Sequence, residues 1–129
     1  MKFNKLIPEL SVTNIDKSKE FYLNIGFKIG YERKEDKFCF LELEENQIMI
    51  EEINDHWNTG TLEYPFGRGI NISMEIKDFY TVYNNIKKNK YPLFKDIMKS
   101  KYEVAGNIYI DEEFLIQDPN GYLLRFTKE

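Results

Sequence analysis

The spacing of apolar positions changes several times along the chain, and each change marks an element. Leu6 to Val12 carries the apolar residues of a predicted strand. In "NIDKSKEFYLNIGF" the spacing turns helical, with Phe21, Tyr22 and Ile25 on one side. Asp16 is the predicted cap and Gly26 the predicted stop. Strands are predicted at Lys28 to Arg33, Phe38 to Leu43 and Gln47 to Ile53, with Glu44 to Asn46 turning between the last two. Positions 54–69 are irregular and hold His56, Trp57, Gly60, Pro65, Gly67 and Gly69. Ile70 to Ile76 is again strand-like. "KDFYTVYNNIKKNKY" is helical, with Phe79, Val82, Tyr83 and Ile86 at 3 and 4 spacing and Asp78 as its expected cap. After Pro92, strands are predicted around Leu93 to Met98, Ile108 to Gln117 and Tyr122 to Phe126, with Lys99 to Asn107 as a longer loop. The turn in "QDPNGY" has its own chemistry: Asp118 accepts from the backbone beyond it, Pro119 fixes φ, and Gly121 tolerates positive φ.

The order strand–helix–strand–strand–strand occurs twice. An offset of 64 lays Val12 on Ile76 and Ile15 on Phe79, and an offset of 74 lays Phe40 on Phe114 and Ile50 on Leu124. The predicted fold is α+β: one domain of two βαβββ modules, 1–53 and 70–129, joined by the connection 54–69. Neither module buries its own sheet well alone, so the two must pack together.

Composition narrows the functional classes. Net charge is -4, with no long basic run, which argues against a nucleic-acid partner and leaves room for a cationic one. No apolar run approaches the length of a membrane span and no cleavable leader is evident, so the expected location is the cytoplasm. The single cysteine, Cys39, reads as a buried small hydrophobe in a strand and allows no internal disulfide. His56 is the only histidine, no serine sits in a nucleophile elbow, and there is no phosphate loop, CxxC or HExxH. Ten Phe, nine Tyr and one Trp are numerous for this length; most must be core, and the rest suit a flat-walled cleft.

"LSVTNIDKSKEFYLNIGFKIGY" and "FLIQDPNGYLLRF" resemble the vicinal oxygen chelate superfamily of glyoxalases, extradiol dioxygenases and bleomycin-resistance proteins. The resemblance covers nearly the whole chain. It implies that the paired modules form a curved, half-open sheet around a cleft, and that the chain is a homodimer. It also implies metal-ligand positions on the first and last strand of each half, which fall by register on Ile7, Glu51, Asn71 and Arg125. Ile7 donates no lone pair, Asn71 is a feeble ligand, and Arg125 puts a fixed cation where a metal needs a carboxylate. No metal, no cofactor and no catalytic residue is therefore expected, and Arg125 is expected to stand in for the metal as the partner of Glu51. A register slip of one residue would offer Glu9, Glu52 or His56 instead.

The pattern resembles most closely the metal-free bleomycin-resistance group, which implies sequestration of a planar, cationic small molecule between aromatic walls. In that group a tryptophan stacks on the ligand; counting back from Asp118 gives Tyr109 at its place. The candidate ligand-binding residues are Phe38, Phe40, Glu51, Trp57, Asn71, Tyr102, Tyr109, Glu113 and Arg125. Phe38 and Phe40 read either as one cleft wall or as core. Trp57 reads as ligand wall, dimer contact or hydrophobic plug, and Tyr102 as part of a covering loop or of plain surface. Glu112 and Glu113 point to opposite faces of a strand, so they cannot flank one atom together. Two other functional classes stay open: a metal-dependent lyase or dioxygenase of the same superfamily, and a small-ligand sensor or accessory protein.

Overall fold

The computed structural model describes all 129 residues. The first module runs β1 (Glu9–Val12), α1 (Ile15–Ile25), β2 (Lys28–Arg33), β3 (Phe38–Leu43) and β4 (Asn46–Glu52), with a 3-10 turn at Lys34–Asp36. The second runs β5 (Asn71–Ile76), α2 (Phe79–Lys88), β6 (Leu93–Val104), β7 (Asn107–Gln117) and β8 (Leu123–Lys128). Each module makes one open four-stranded sheet, in the orders β1-β4-β3-β2 and β5-β8-β7-β6. The first strand of each pairs in parallel with the last, and the other pairings are antiparallel.

One face of each sheet is apolar and meets the helices. Cys39, Leu41, Ile48 and Ile50 from the first sheet join Phe114, Ile116, Leu124 and Phe126 from the second in a continuous core with Phe21, Tyr22, Phe79 and Val82. Both helices thus lie in the core that unites the modules, because neither stripe is buried fully by its own sheet.

Helix ends differ from expectation. Asn14, not Asp16, caps α1, its side-chain oxygen accepting from the Lys17 N–H at 3.0 Å. Asp78 makes no capping bond at α2. The Glu44 carboxylate from the other module accepts there, from the N–H groups of Lys77 at 2.8 Å and Asp78 at 3.0 Å. A tertiary contact has taken over a local role. Gly26 does end α1, at φ +132.

The expected loop Lys99–Asn107 is strand. β6 runs on to Val104 and β7 starts at Asn107, a long hairpin turned by Ala105 and Gly106 at positive φ. Alternation without core contact hid this element, since most of its side chains are exposed. β1 also starts later than predicted, at Glu9, with Leu6 exposed.

The repeat is real, but its offsets grow along the chain. Leu93 pairs with Ile116 as Ile29 pairs with Leu41, and a bulge follows each pair, so Gly30 and Phe94 are equivalent. Ile53 N–H donates to Val12 O and Glu129 N–H donates to Ile76 O, both at 3.0 Å, which fixes the last strands at an offset of 76. The sheet registers then put β3 against β7 at 75. Cys39 therefore matches Phe114, and Phe40 matches Leu115. The offset of 74 had laid a residue of one face on a residue of the other, because a single-residue slip in a period-2 strand exchanges faces. The cause is the turn: two residues separate β3 from β4, and the longer Asp118–Tyr122 turn separates β7 from β8.

That longer turn locks the modules together. Asp118 Oδ1 accepts from the N–H of Asn120 and of Tyr122, each at 2.9 Å, and Oδ2 accepts from the Tyr22 hydroxyl of α1 at 2.7 Å. Asn120 exchanges two bonds with Thr13, and the Tyr122 hydroxyl donates to Ser11 O at 2.9 Å. Gly121 sits at φ +90 against Pro65.

Candidate functional site

The faces turned away from the helices carry the chemistry. On the first sheet they present Glu9, Ser11, Phe38, Phe40, Met49 and Glu51; on the second, Ser73, Glu75, Asp111, Glu113, Leu115, Arg125 and Thr127.

Phe38 and Phe40 lie on this outer face, as the cleft-wall reading required, yet both are buried. Phe3 meets Phe40 edge-on at 5.4 Å, Tyr31 stacks on it at 5.2 Å, and the Arg33 guanidinium lies 4.0 Å over the Phe38 ring. The accessible surface of this aromatic patch therefore belongs to Phe3 and Tyr31, which sequence reasoning missed. Two carboxylates share the face. Burial and then the charge of Glu51 push the Glu9 carboxyl up, and Arg33 opposes them. Glu51 itself accepts from the Asn54 side chain.

Arg125 does not pair with Glu51. Its Nε lies 3.8 Å from Glu113 Oε2, and Leu115 and Ser73 flank it on the neighbouring strands. Under the corrected offset, Arg125 matches Met49 and Glu51 matches Thr127, so the two charges were never equivalent positions. Arg125 Nε is also buried without a hydrogen-bond partner. Glu113 faces outward as predicted, and Glu112 faces the other way, accepting from the Tyr80 hydroxyl of α2.

Farther along the hairpin, Tyr102 and Tyr109 are cross-strand partners stacked at 5.5 Å with planes 20° apart. Both are partly exposed. Desolvation and then the charge of Asp111 raise the Tyr102 phenol, with Glu75 a smaller cause. A stacked ring pair thus stands beside Asp111 and Glu75, while Glu113 and Arg125 lie farther along the same outer face. Asp111 and Glu75 lie in predicted strands but escaped sequence reasoning because the face each takes was unassigned.

The residues at the implied metal positions do not fit a divalent cation. Ile7 and Arg125 offer it nothing, and no group of three or more His, Cys, Asp or Glu side chains is assembled anywhere in the chain. Asn71 lines a groove of about 500 Å³ between the unpaired edges of β1 and β5, with Glu9 and Ser73. Trp57 is no plug: it is 64% exposed, and its aromatic contact is an edge-on approach to His56 at 6.4 Å.

No protein-family model and no curated protein matches this chain. Solved structures do. A glyoxalase/bleomycin resistance protein/dioxygenase from Alicyclobacillus acidocaldarius superposes with TM-score 0.67 at 21% identity, covering 97% of this chain and 90% of that one. A hypothetical protein from S. aureus gives 0.69 at 18% identity, covering 100% and 96%. TioX from Micromonospora sp. ML1 gives 0.74 at 12% identity, covering 98% of each. At such identities the likeness concerns the fold alone. Two repeated βαβββ modules, open sheets and these superpositions together give the chain the fold of the glyoxalase/bleomycin resistance protein/dioxygenase superfamily, the vicinal oxygen chelate fold.

Proposed function

We propose that the chain is a non-enzymatic small-molecule binding protein whose outer sheet face takes a planar, cationic ligand, as an antibiotic of bleomycin type would be sequestered. The observation that carries this reading is the stacked Tyr102–Tyr109 pair, presented on a hairpin beside Asp111 and Glu75, with Glu113 farther along the same face. Flat π faces supply contact area, and the carboxylates draw a cation inward. The net charge of -4 has the same sign. In this reading the protein acts as a twofold homodimer, in which a second copy covers the exposed apolar residues of the hairpin, Val104, Ile108 and Ile110 among them.

Calorimetric titration with copper-free bleomycin, then with proflavine, tests the reading. Binding at one ligand per site, with the drug recovered unchanged, is expected. Tyr102→Ser should weaken it by a few-fold to about tenfold, the worth of one aromatic stack. Absence of binding to either compound, or chemical modification of the drug, would sink it. Sedimentation equilibrium tests the dimer, and a monomer mass at all concentrations would remove that part.

A further inference from the structure

A second cavity lies away from the outer sheet faces. It measures about 670 Å³, within the roughly 300–1,000 Å³ range of small-molecule pockets. Four aromatic rings line it: Phe21 of α1, Tyr64 of the connection, Tyr91 between α2 and β6, and Phe94 at the start of β6. Phe21 and Tyr91 form its wall, tilted together at 4.9 Å, and the Tyr91 hydroxyl is held by the Asn24 side chain at 2.9 Å. Tyr64 and Phe94 stand at its mouth, 62% and 51% exposed, and neither stacks on another ring.

Packing accounts for Phe21, which is 4% exposed, and for Tyr91, whose counterpart at the offset of 64 is the core residue Phe27, but not for the exposed rings of Tyr64 and Phe94. The repeat supplies an internal control, the corresponding corner between α2 and β2. At the offset of 64, Glu20 and Phe21 correspond to Asn84 and Asn85, and the bulge residue Phe94 corresponds to Gly30. The fold therefore forms this corner once without the two α1 residues or the bulge ring. Tyr64, from the connection, has no counterpart at all.

The charges around the cavity favour a cation. Glu20, Asp118 and Lys17 are among its lining residues, a balance of two carboxylates to one ammonium. Asp118 is held by Tyr22 and by backbone N–H groups, whereas Glu20 makes no ion pair and no hydrogen bond in the chain. The protein's own cation–ring contacts use Arg33, Lys87 and Lys128 over other rings, so the faces of these four are free of protein cations. Aromatic faces beside carboxylates attract an organic cation through the ring quadrupole, most strongly when it is desolvated. We propose that this cavity is a binding site for a small alkyl- or quaternary-ammonium compound, separate from the outer-face site.

Choline and its neutral isostere 3,3-dimethylbutanol separate charge from shape. Each is titrated into the intact protein at constant ionic strength, followed by amide chemical shifts. Choline should bind about tenfold more tightly than the isostere, with shifts centred on Glu20, Tyr91 and Phe94. Phe94→Leu, which keeps an apolar side chain at an exposed position, and Glu20→Gln should each lower choline affinity several-fold and leave the isostere unchanged. Equal binding of the two compounds, insensitivity of choline to both variants, or shifts confined to Tyr102 and Tyr109 would overturn the assignment. Because Tyr102→Ser lies outside this cavity, its effect on proflavine reports the outer face independently.

Discussion

Tyr22→Phe removes one oxygen from the bond that ties α1 to the Asp118 turn. The Tyr22 side chain is fully buried and Asp118 is 3% exposed, so water does not replace the lost donor. The bond is 2.7 Å long, and a hydrogen bond to a charged group contributes roughly 1.5–3 kcal/mol. Asp118 keeps its two backbone donors, which places the expected loss near about 2 kcal/mol at neutral pH. The loss should depend on pH, and its sign follows from burial. Desolvation raises the Asp118 carboxyl above its ordinary value, while the bonds from Tyr22 and the backbone pull it down. Stability gained from the neutral carboxyl is complete below the unfolded value, about 3.9, and is lost as pH rises through the folded value. Removing the Tyr22 donor raises that folded value further. The variant therefore loses most at neutral pH and least in acid. Urea unfolding of both proteins across this range, at unchanged m, measures the difference. A loss below about 0.5 kcal/mol at neutral pH, or one that grows toward acid, would refute the account of the turn as a charge-dependent lock.

Gly121→Ala should destabilise by more than about 1 kcal/mol, because φ is +90 and an added Cβ would meet Pro65 at 2.5 Å; thermal unfolding checks it, and an unchanged midpoint would contradict it. A double-mutant cycle of Arg125→Met with Glu113→Gln should give a coupling of about 0.2–1 kcal/mol, as for a partly exposed pair. The corresponding cycle with Glu51→Gln should be smaller, and a larger value there would restore the Glu51 partnership. Glu9→Gln should gain stability relative to the parent as pH rises from 3 to 7. The raised folded value of Glu9 means that its neutral-form contribution is lost as pH rises through that value. Denaturant midpoints at the two ends of the range decide it.

The elements that pack on the core were legible in the sequence. Phe79, Val82 and Ile86 have one period in α2 and Cys39, Leu41 and Leu43 another in β3, because burial on one side forces the period of the backbone onto the side chains. Within the hairpin β6–β7, the stretch Lys99 to Asn107 was not legible as strand: its residues are exposed on both sides, so no burial pattern marks them. The sequence also contained the repeat, with its βαβββ order and the Asp118 turn. Tertiary structure decided the register between halves, since two turns of different length shift β8 against β4 by an amount that no local pattern encodes. It decided the caps too, giving α2 the Glu44 carboxylate of the other module. Above all it decided the partner of Arg125. A strand pattern tells which face a side chain takes, but which charge lies across from it depends on the neighbouring strand, and here that charge is Glu113.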